Sequence, residues 1–230
     1  MLFSRAGIVA AVETEQETAM STRMLFLDVN GTVLDDWEPA FEALAAVLDH
    51  FGGERPTLET YIREVGQDGD YRGFYRRRGI YESRDVLYKV FLPAYRAHAR
   101  EIRVMPGVHD ALRDIKQSGV EIHILTAARK DFIEPLLVQA GVHELCDSYH
   151  YHIHDKCEQV RAVIDGRNLQ RDECVMVGDL PSDVVHAKRA DIRAVGFYNP
   201  HVPKDIFSDL YDMDYFALSF QGLAEYLRST

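Results

Sequence analysis

Apolar positions along this chain fall into short runs that alternate with stretches of helical period. Residues 24–29 (MLFLDV) form an apolar run that ends on an acid, with Gly31 just beyond, which predicts a buried strand entering a tight loop. Residues 39–51 repeat apolar side chains at helical spacing through Phe41, Leu44, Ala45, Val47 and Leu48, and stop at Gly52-Gly53. From there to about Arg103 the pattern stays helical and polar, over 58–65 and 83–99, with no strand candidate between. After Met105-Pro106-Gly107 the pattern changes. Helices are predicted at 108–117, 132–139, 158–164, 183–189 and 218–227, and strands at 120–125, 148–153, 174–177 and 192–197.

Strands alternating with helices in this way imply βαβ units, so the expected fold class is α/β, a parallel sheet covered by helices on both faces. The core is expected over 23–35 and 104–230, interrupted by an all-helical segment over 36–103. That segment is far longer than an ordinary βα connection. It is expected to fold as a small cap beside the C-terminal ends of the strands, where open α/β sheets bind ligands. Residues 1–22 read as a flexible N-terminal extension, with translation starting at Met20 or Met24. Their apolar patch, 6–12, is followed by Glu13, Glu15 and Glu17, unlike a signal peptide.

Composition narrows the function classes. A length of 230 residues suits one domain with an insertion. The net charge of -11 argues against a general affinity for nucleic acid. It leaves a small anionic ligand open, because a pocket can be locally positive. No apolar run reaches the roughly 18 residues that a membrane span needs. Cys146, Cys157 and Cys174 form neither a disulfide framework nor a CxxC metal site, so the cytoplasm is the expected compartment.

Four predicted strand ends carry polar residues of complementary type: Asp28-Val29-Asn30-Gly31-Thr32, then Thr126-Ala127-Ala128, then Lys156, then Gly178-Asp179-Leu180-Pro181-Ser182-Asp183. Phosphoryl transfer needs such a set. A carboxylate such as Asp28 can attack phosphorus, and a hard divalent cation held by Asp28, Asp179 and a main-chain carbonyl can neutralise the phosphoryl oxygens. A hydroxyl such as Thr126 can bind those oxygens, and an ammonium can offset repulsion between nucleophile and dianion. Lys156 is the candidate ammonium, with Arg129 and Lys130 as competitors.

With these motifs in this order, the chain resembles the haloacid dehalogenase superfamily, from about residue 24 to 199. Its helical segment is similar to the cap of phosphoglycolate phosphatase and β-phosphoglucomutase relatives. The resemblance implies a Rossmann-like core, Mg²⁺ as cofactor, and a covalent aspartyl-phosphate. It implies Asp28 as nucleophile, Thr126 as phosphate ligand and Lys156 as charge stabiliser. Asp28, the Asn30 main-chain carbonyl and Asp179 are then the metal ligands, with Asp183 supporting the metal site.

One position departs from the family pattern. Its phosphatases usually carry a second Asp two residues after the nucleophile, as acid and base; here that position is Asn30, whose amide cannot shuttle a proton. The substrate could have a good leaving group, such as an acyl phosphate, or Asp35, Asp36 or a cap residue could serve instead. Asn30 could equally be a substitution that traps or retires the catalyst, leaving a phospholigand-binding protein. A dehalogenase or phosphonatase would also lack the second Asp, but the first has no need of the 178–183 motif, and the second needs a cap lysine, of which Lys89 is the only one. The leading expectation is a Mg²⁺-dependent phosphatase acting on a small phosphorylated metabolite.

Two clusters stay open between a ligand role and a solvated surface. Arg72, Phe74, Tyr75, Arg76, Arg77, Arg78, Tyr81 and Arg84 concentrate charge and rings in the cap, where an Arg could grip a second anionic group. In 148–153 and just beyond, His150, His152 and His154 would share one strand face by period two. Trp37 and Tyr61 are read as cap packing.

Overall fold

The computed structural model describes residues 21–66, 69–208 and 213–230, so the expected N-terminal extension falls almost wholly outside the described residues. The described residues begin with β1 (Met24–Leu27) and β2 (Leu34–Asp35), then run through α1 (Trp37–Phe51), α2 (Leu58–Gly66), α3 (Tyr71–Arg76) and α4 (Arg84–Ala97). The chain returns through β3 (Arg103–Val104), α5 (Val108–Gln117), β4 (Glu121–Leu125), α6 (Lys130–Gln139) and β5 (Ser148–His150). The last part comprises α7 (Lys156–Arg167), β6 (Cys174–Gly178), α8 (Pro181–Arg189), β7 (Arg193–Phe197), β8 (Tyr215–Ala217) and α9 (Phe220–Ser229).

Six strands form one parallel sheet in the order β5-β4-β1-β6-β7-β8. The apolar run of β1 is explained by burial on both faces, as parallel sheets require. Leu25 and Leu27 pack with residues of α5, α6 and α9, whereas Met24 and Phe26 pack with residues of α7 and α8. Strand order puts β1 between β4 and β6, and the chain fills one side before crossing to the other. The strand ends beside β1 therefore form the switch-point crevice in which such sheets bind ligands.

The helical insert leaves the core through β2 and re-enters through β3. These two short strands pair antiparallel, Leu34 with Val104 and Asp35 with Arg103, so both ends of the insert are tied together. Helices α1 and α4 pack along each other above this ribbon. Neither strand was predicted, because two residues are too few to show a period. The same holds for β8, which extends the sheet beyond β7. Helix α9 matches the expected final helix, with the Ser219 hydroxyl accepting from the Gly222 amide at 3.1 Å as its cap.

The predicted strand at 148–153 stops early. His152 adopts φ 62°, which breaks the alternation, so the three histidines do not share a strand face. His150 instead stacks on His123 of β4, with ring centroids 5.3 Å apart. No helix among the described residues is long and apolar enough to cross a membrane.

Phe26 is fully buried and meets the His123 ring edge-on. Phe26→Ala is expected to lower stability by about 3–5 kcal/mol, measured by urea unfolding.

Candidate active site

Asp28 leaves the C-terminal end of β1 with its amide bonded to the Val177 carbonyl of β6 at 3.0 Å. The chain then turns sharply: the amides of Val33 and Leu34 both return to the Val29 carbonyl, and Gly31 takes φ 78°. Glycine is needed there twice over, because a Cβ would also sit 2.1 Å from the Asp179 carboxylate. The buried Asn199 side chain donates to the Gly31 carbonyl at 2.7 Å and braces the turn from behind.

Lys156 is the first residue of α7, held there by Asp155, whose carboxylate accepts from the Glu158 amide. Its ammonium donates to Asp28 at 2.5 Å and to Asp183 at 2.6 Å. Neither competing cation reaches Asp28: Arg129 lines the cavity but pairs with Asp131, and Lys130 pairs with Glu134 outside the cavity wall. Asp183 also accepts from the Leu180 amide at the start of α8, so both its oxygens are engaged. Asp179 accepts from the Thr32 hydroxyl at 3.1 Å and from the Trp37 indole at 2.8 Å.

Asp28, Asp179 and Asp183 are buried and bring carboxylate oxygens within 4.8 Å of one another. One ammonium faces these three carboxylates, so full ionisation would leave two negative charges uncompensated. The charge state of the group reflects that surplus. Burial raises the pKa of Asp28 to about 7, the Asp183 carboxylate adding to the rise and Lys156 opposing it. Burial, with Asp28 and Asp183 close by, raises Asp179 well above the ordinary carboxylate range. For Lys156 burial works against the charge, but Asp183 and Asp28 outweigh it and hold the ammonium protonated. A divalent cation fits this site on two counts: the excess charge matches its own, and the Asn30 main-chain carbonyl accepts no hydrogen bond from a described residue.

Asn30 is held by its neighbours. Its amide nitrogen donates to Asp36 at 2.6 Å, and its amide oxygen accepts from the Thr126 hydroxyl at 3.2 Å. Asp36 fixes that orientation, because a carboxylate can only accept. The same carboxylate takes the Gly31 amide at 2.9 Å and the Tyr95 hydroxyl of α4 at 2.5 Å. Burial raises its pKa, while Tyr95, Asn30 and Gly31 each pull it down. With three donors on it, Asp36 serves here as an anchor. Asp35, the other acid proposed as a substitute, lies near His201 at 3.5 Å and is not part of the cavity wall.

Sequence reading placed Asp28, Asn30, Thr126, Lys156, Asp179 and Asp183 together, and the structure gathers all six around one crevice. It offered Asp36 as a substitute acid and Trp37 as cap packing, where the structure has Asp36 anchoring Asn30 and Trp37 donating to Asp179, and it did not single out Tyr95 or Asn199. A cavity of about 470 Å³ opens from the crevice between core and insert. Arg72 and Arg84 reach its wall, whereas Arg76 pairs with Asp70 and Arg77 and Arg78 pair with Glu64, and none of these three arginines lines the cavity. The cluster of cap arginines is thus split between cavity and surface.

The sequence profile described as haloacid dehalogenase-like hydrolase matches residues 25–197. The chain belongs to this hydrolase family. Among curated relatives, it is 27% identical over 222 residues to a phosphoglycolate phosphatase of Pseudomonas putida, covering 88% of this chain and 80% of that one. It is 25% identical to a phosphoglycolate phosphatase of Agrobacterium fabrum over 75% of this chain and 79% of that protein. A hydrolase from Pseudomonas syringae superposes with a TM-score of 0.74 at 17% identity, over 90% of this chain and 98% of the other. At that identity the likeness shows the haloacid dehalogenase-like fold and nothing finer.

Two predictions follow from the site's charges. Asn30→Asp sets two carboxylates against each other inside the turn and is expected to cost about 3 kcal/mol in urea unfolding, most of it recovered in the double variant with Asp36→Asn. The second concerns pH in EDTA. Asp28 and Asp179 keep protons in the folded state that they lose in the unfolded chain, so stability falls as pH rises from near 3.8 to about 7. Asp179→Asn removes one ionisation, and its melting temperature should therefore gain on that of the wild type across this window; parallel curves would refute the assignment.

Proposed function

We propose that this hydrolase is a phosphatase that forms an aspartyl-phosphate on Asp28 and releases inorganic phosphate from a small phosphorylated substrate. The observation that carries the proposal is the buried Asp28 carboxylate, set at the foot of the cavity and held 2.5 Å from the Lys156 ammonium. Curated relatives named as phosphoglycolate phosphatases support the reaction class. The free, buried cysteines accord with a reducing compartment, and we take the cytoplasm as the place of action.

In this reading Lys156 lowers the repulsion between Asp28 and the incoming phosphate dianion, and Asp183 fixes Lys156 in place. The Thr126 hydroxyl, now on Asn30, turns to a phosphoryl oxygen when substrate enters. Asp28, Asp179 and the Asn30 carbonyl would hold Mg²⁺, with Asp183 beside them, and the ion supplies charge neutralisation at the phosphoryl oxygens. Once the leaving group has gone, water attacks the acyl phosphate and regenerates the Asp28 carboxylate.

The locked Asn30 amide gives no proton to the departing oxygen, and Asp36 is saturated by donors. The substrates served best are therefore those whose leaving group is stable as an anion. A non-catalytic ligand-binding role fits the geometry less well, since a retired site has no chemical reason to keep Asp28 paired and buried.

Phosphate release from acetyl phosphate and from alkyl phosphates, with Mg²⁺ and with EDTA, tests the proposal. Turnover is expected with Mg²⁺, greater for acetyl phosphate, and reduced by at least about 10³-fold in Asp28→Asn. Turnover that survives Asp28→Asn or EDTA would overturn it.

A further inference from the structure

The cavity above Asp28 has room for more than a phosphate group. Its volume of about 470 Å³ lies within the range of roughly 300–1,000 Å³ typical of pockets that enclose a whole small molecule. Aromatic residues make up 10% of the chain, yet they crowd this wall. Tyr71 and Tyr75 come from α3, Tyr88 and Phe91 from α4, and Phe132 from α6. Insert and core thus approach the same space with rings, a surface that takes up a flat apolar group by stacking and edge contacts.

The wall also holds polar groups without protein partners. Tyr75 is 7% exposed and Tyr61 3% exposed, and neither hydroxyl bonds to a described residue. Both residues line the cavity, where a hydroxyl without a protein partner can meet a polar substituent of a ligand.

A third observation comes from the other end of the site. Asn30 is fixed by Asp36 and Thr126 and cannot protonate a leaving oxygen. A phenol has a pKa of about 10, as in tyrosine, so a phenolate departs without help far more readily than an aliphatic alkoxide. Cavity wall and missing acid select the same chemistry by independent routes.

We propose that the substrates are aryl phosphates: phosphate monoesters of a phenolic oxygen, with the ring in the aromatic cavity and a polar ring substituent on the tyrosine hydroxyls. This rests on the phosphatase reading above. An Asp28 oxygen forms the new bond to phosphorus while the bond from phosphorus to the phenolic oxygen breaks. The phenolate leaves with the electron pair and takes a proton from solvent. Water then attacks phosphorus, releases phosphate, gives up its proton to solvent and restores Asp28. The sum is one aryl phosphate and one water converted to one phenol and one inorganic phosphate.

Binding and turnover are measured separately on the Mg²⁺-loaded protein. Calorimetry compares benzylphosphonate with methylphosphonate, neither of which can be hydrolysed here. Benzylphosphonate is expected to bind about 100-fold more tightly, and Tyr88→Ala, on the half-buried rim, to remove about tenfold of that preference. In turnover, phenyl phosphate should exceed 2-phosphoglycolate in kcat/KM by about 100-fold or more, rising further as electron-withdrawing ring substituents lower the pKa of the phenol. Equal binding of the two phosphonates, or a preference for 2-phosphoglycolate, overturns the aryl assignment even if acetyl phosphate is hydrolysed in an Asp28-dependent way. Tight benzylphosphonate binding with no Asp28-dependent turnover of any substrate would instead uphold the ligand class and sink the phosphatase reading.

Discussion

The Lys156 ammonium, buried between the carboxylates of Asp28 and Asp183, is the contact on which the rest of the site depends. Removing a charge from water costs several kcal/mol, and only close, well-directed partners return it. Here the ammonium and its two partners come from three separate elements: Lys156 from the start of α7, Asp28 from the end of β1 and Asp183 from the start of α8. Each must be in place for the ammonium to be tolerated. The same ammonium lets three carboxylates converge at the strand ends without expelling one another. It leaves them still too negative, which is the condition that suits a divalent cation.

The helical insert is chemically part of this arrangement. Trp37, the first residue of α1, donates to Asp179, and Tyr95 near the far end of the insert donates to Asp36, which in turn holds Asn30. Both ends of the insert are also tied together by the β2–β3 ribbon. Any shift of α1 or α4 relative to the sheet is therefore felt at a candidate metal ligand and at the amide two residues after Asp28. The cavity wall, formed largely by rings of α3 and α4, is positioned by these same contacts.

Asn30 makes sense within this frame. An aspartate at that position would confront Asp36 inside a turn that has no cation to spare, whereas an amide joins Asp36 to Thr126. The residue that departs from the family pattern is thus matched to neighbours that complete its hydrogen bonds. Under the proposed function, a site built this way stabilises attack but offers the leaving group no proton, which moves the burden of selectivity onto the substrate.

Much of this was legible from the chain alone, for a local reason. Strands and helices were recognisable from period and from Gly and Pro punctuation, and those signals also put Asp28, Thr126 and Asp179 at strand ends; Lys156, expected just after a strand, instead opens α7. The short elements β2, β3 and β8 left no period to read, and the turn at His152 dissolved a histidine row that alternation had suggested. The sequence by itself determined the α/β alternation, the helical insert and the inventory of the site, because each is written in neighbouring residues. Only the tertiary structure decided the sheet order, the choice of Lys156 over Arg129 and Lys130, and the partners of Asn30 and Asp179. Those depend on contacts through space, such as Trp37 with Asp179 or Asn199 with Gly31, between positions whose separation along the chain carries no pattern.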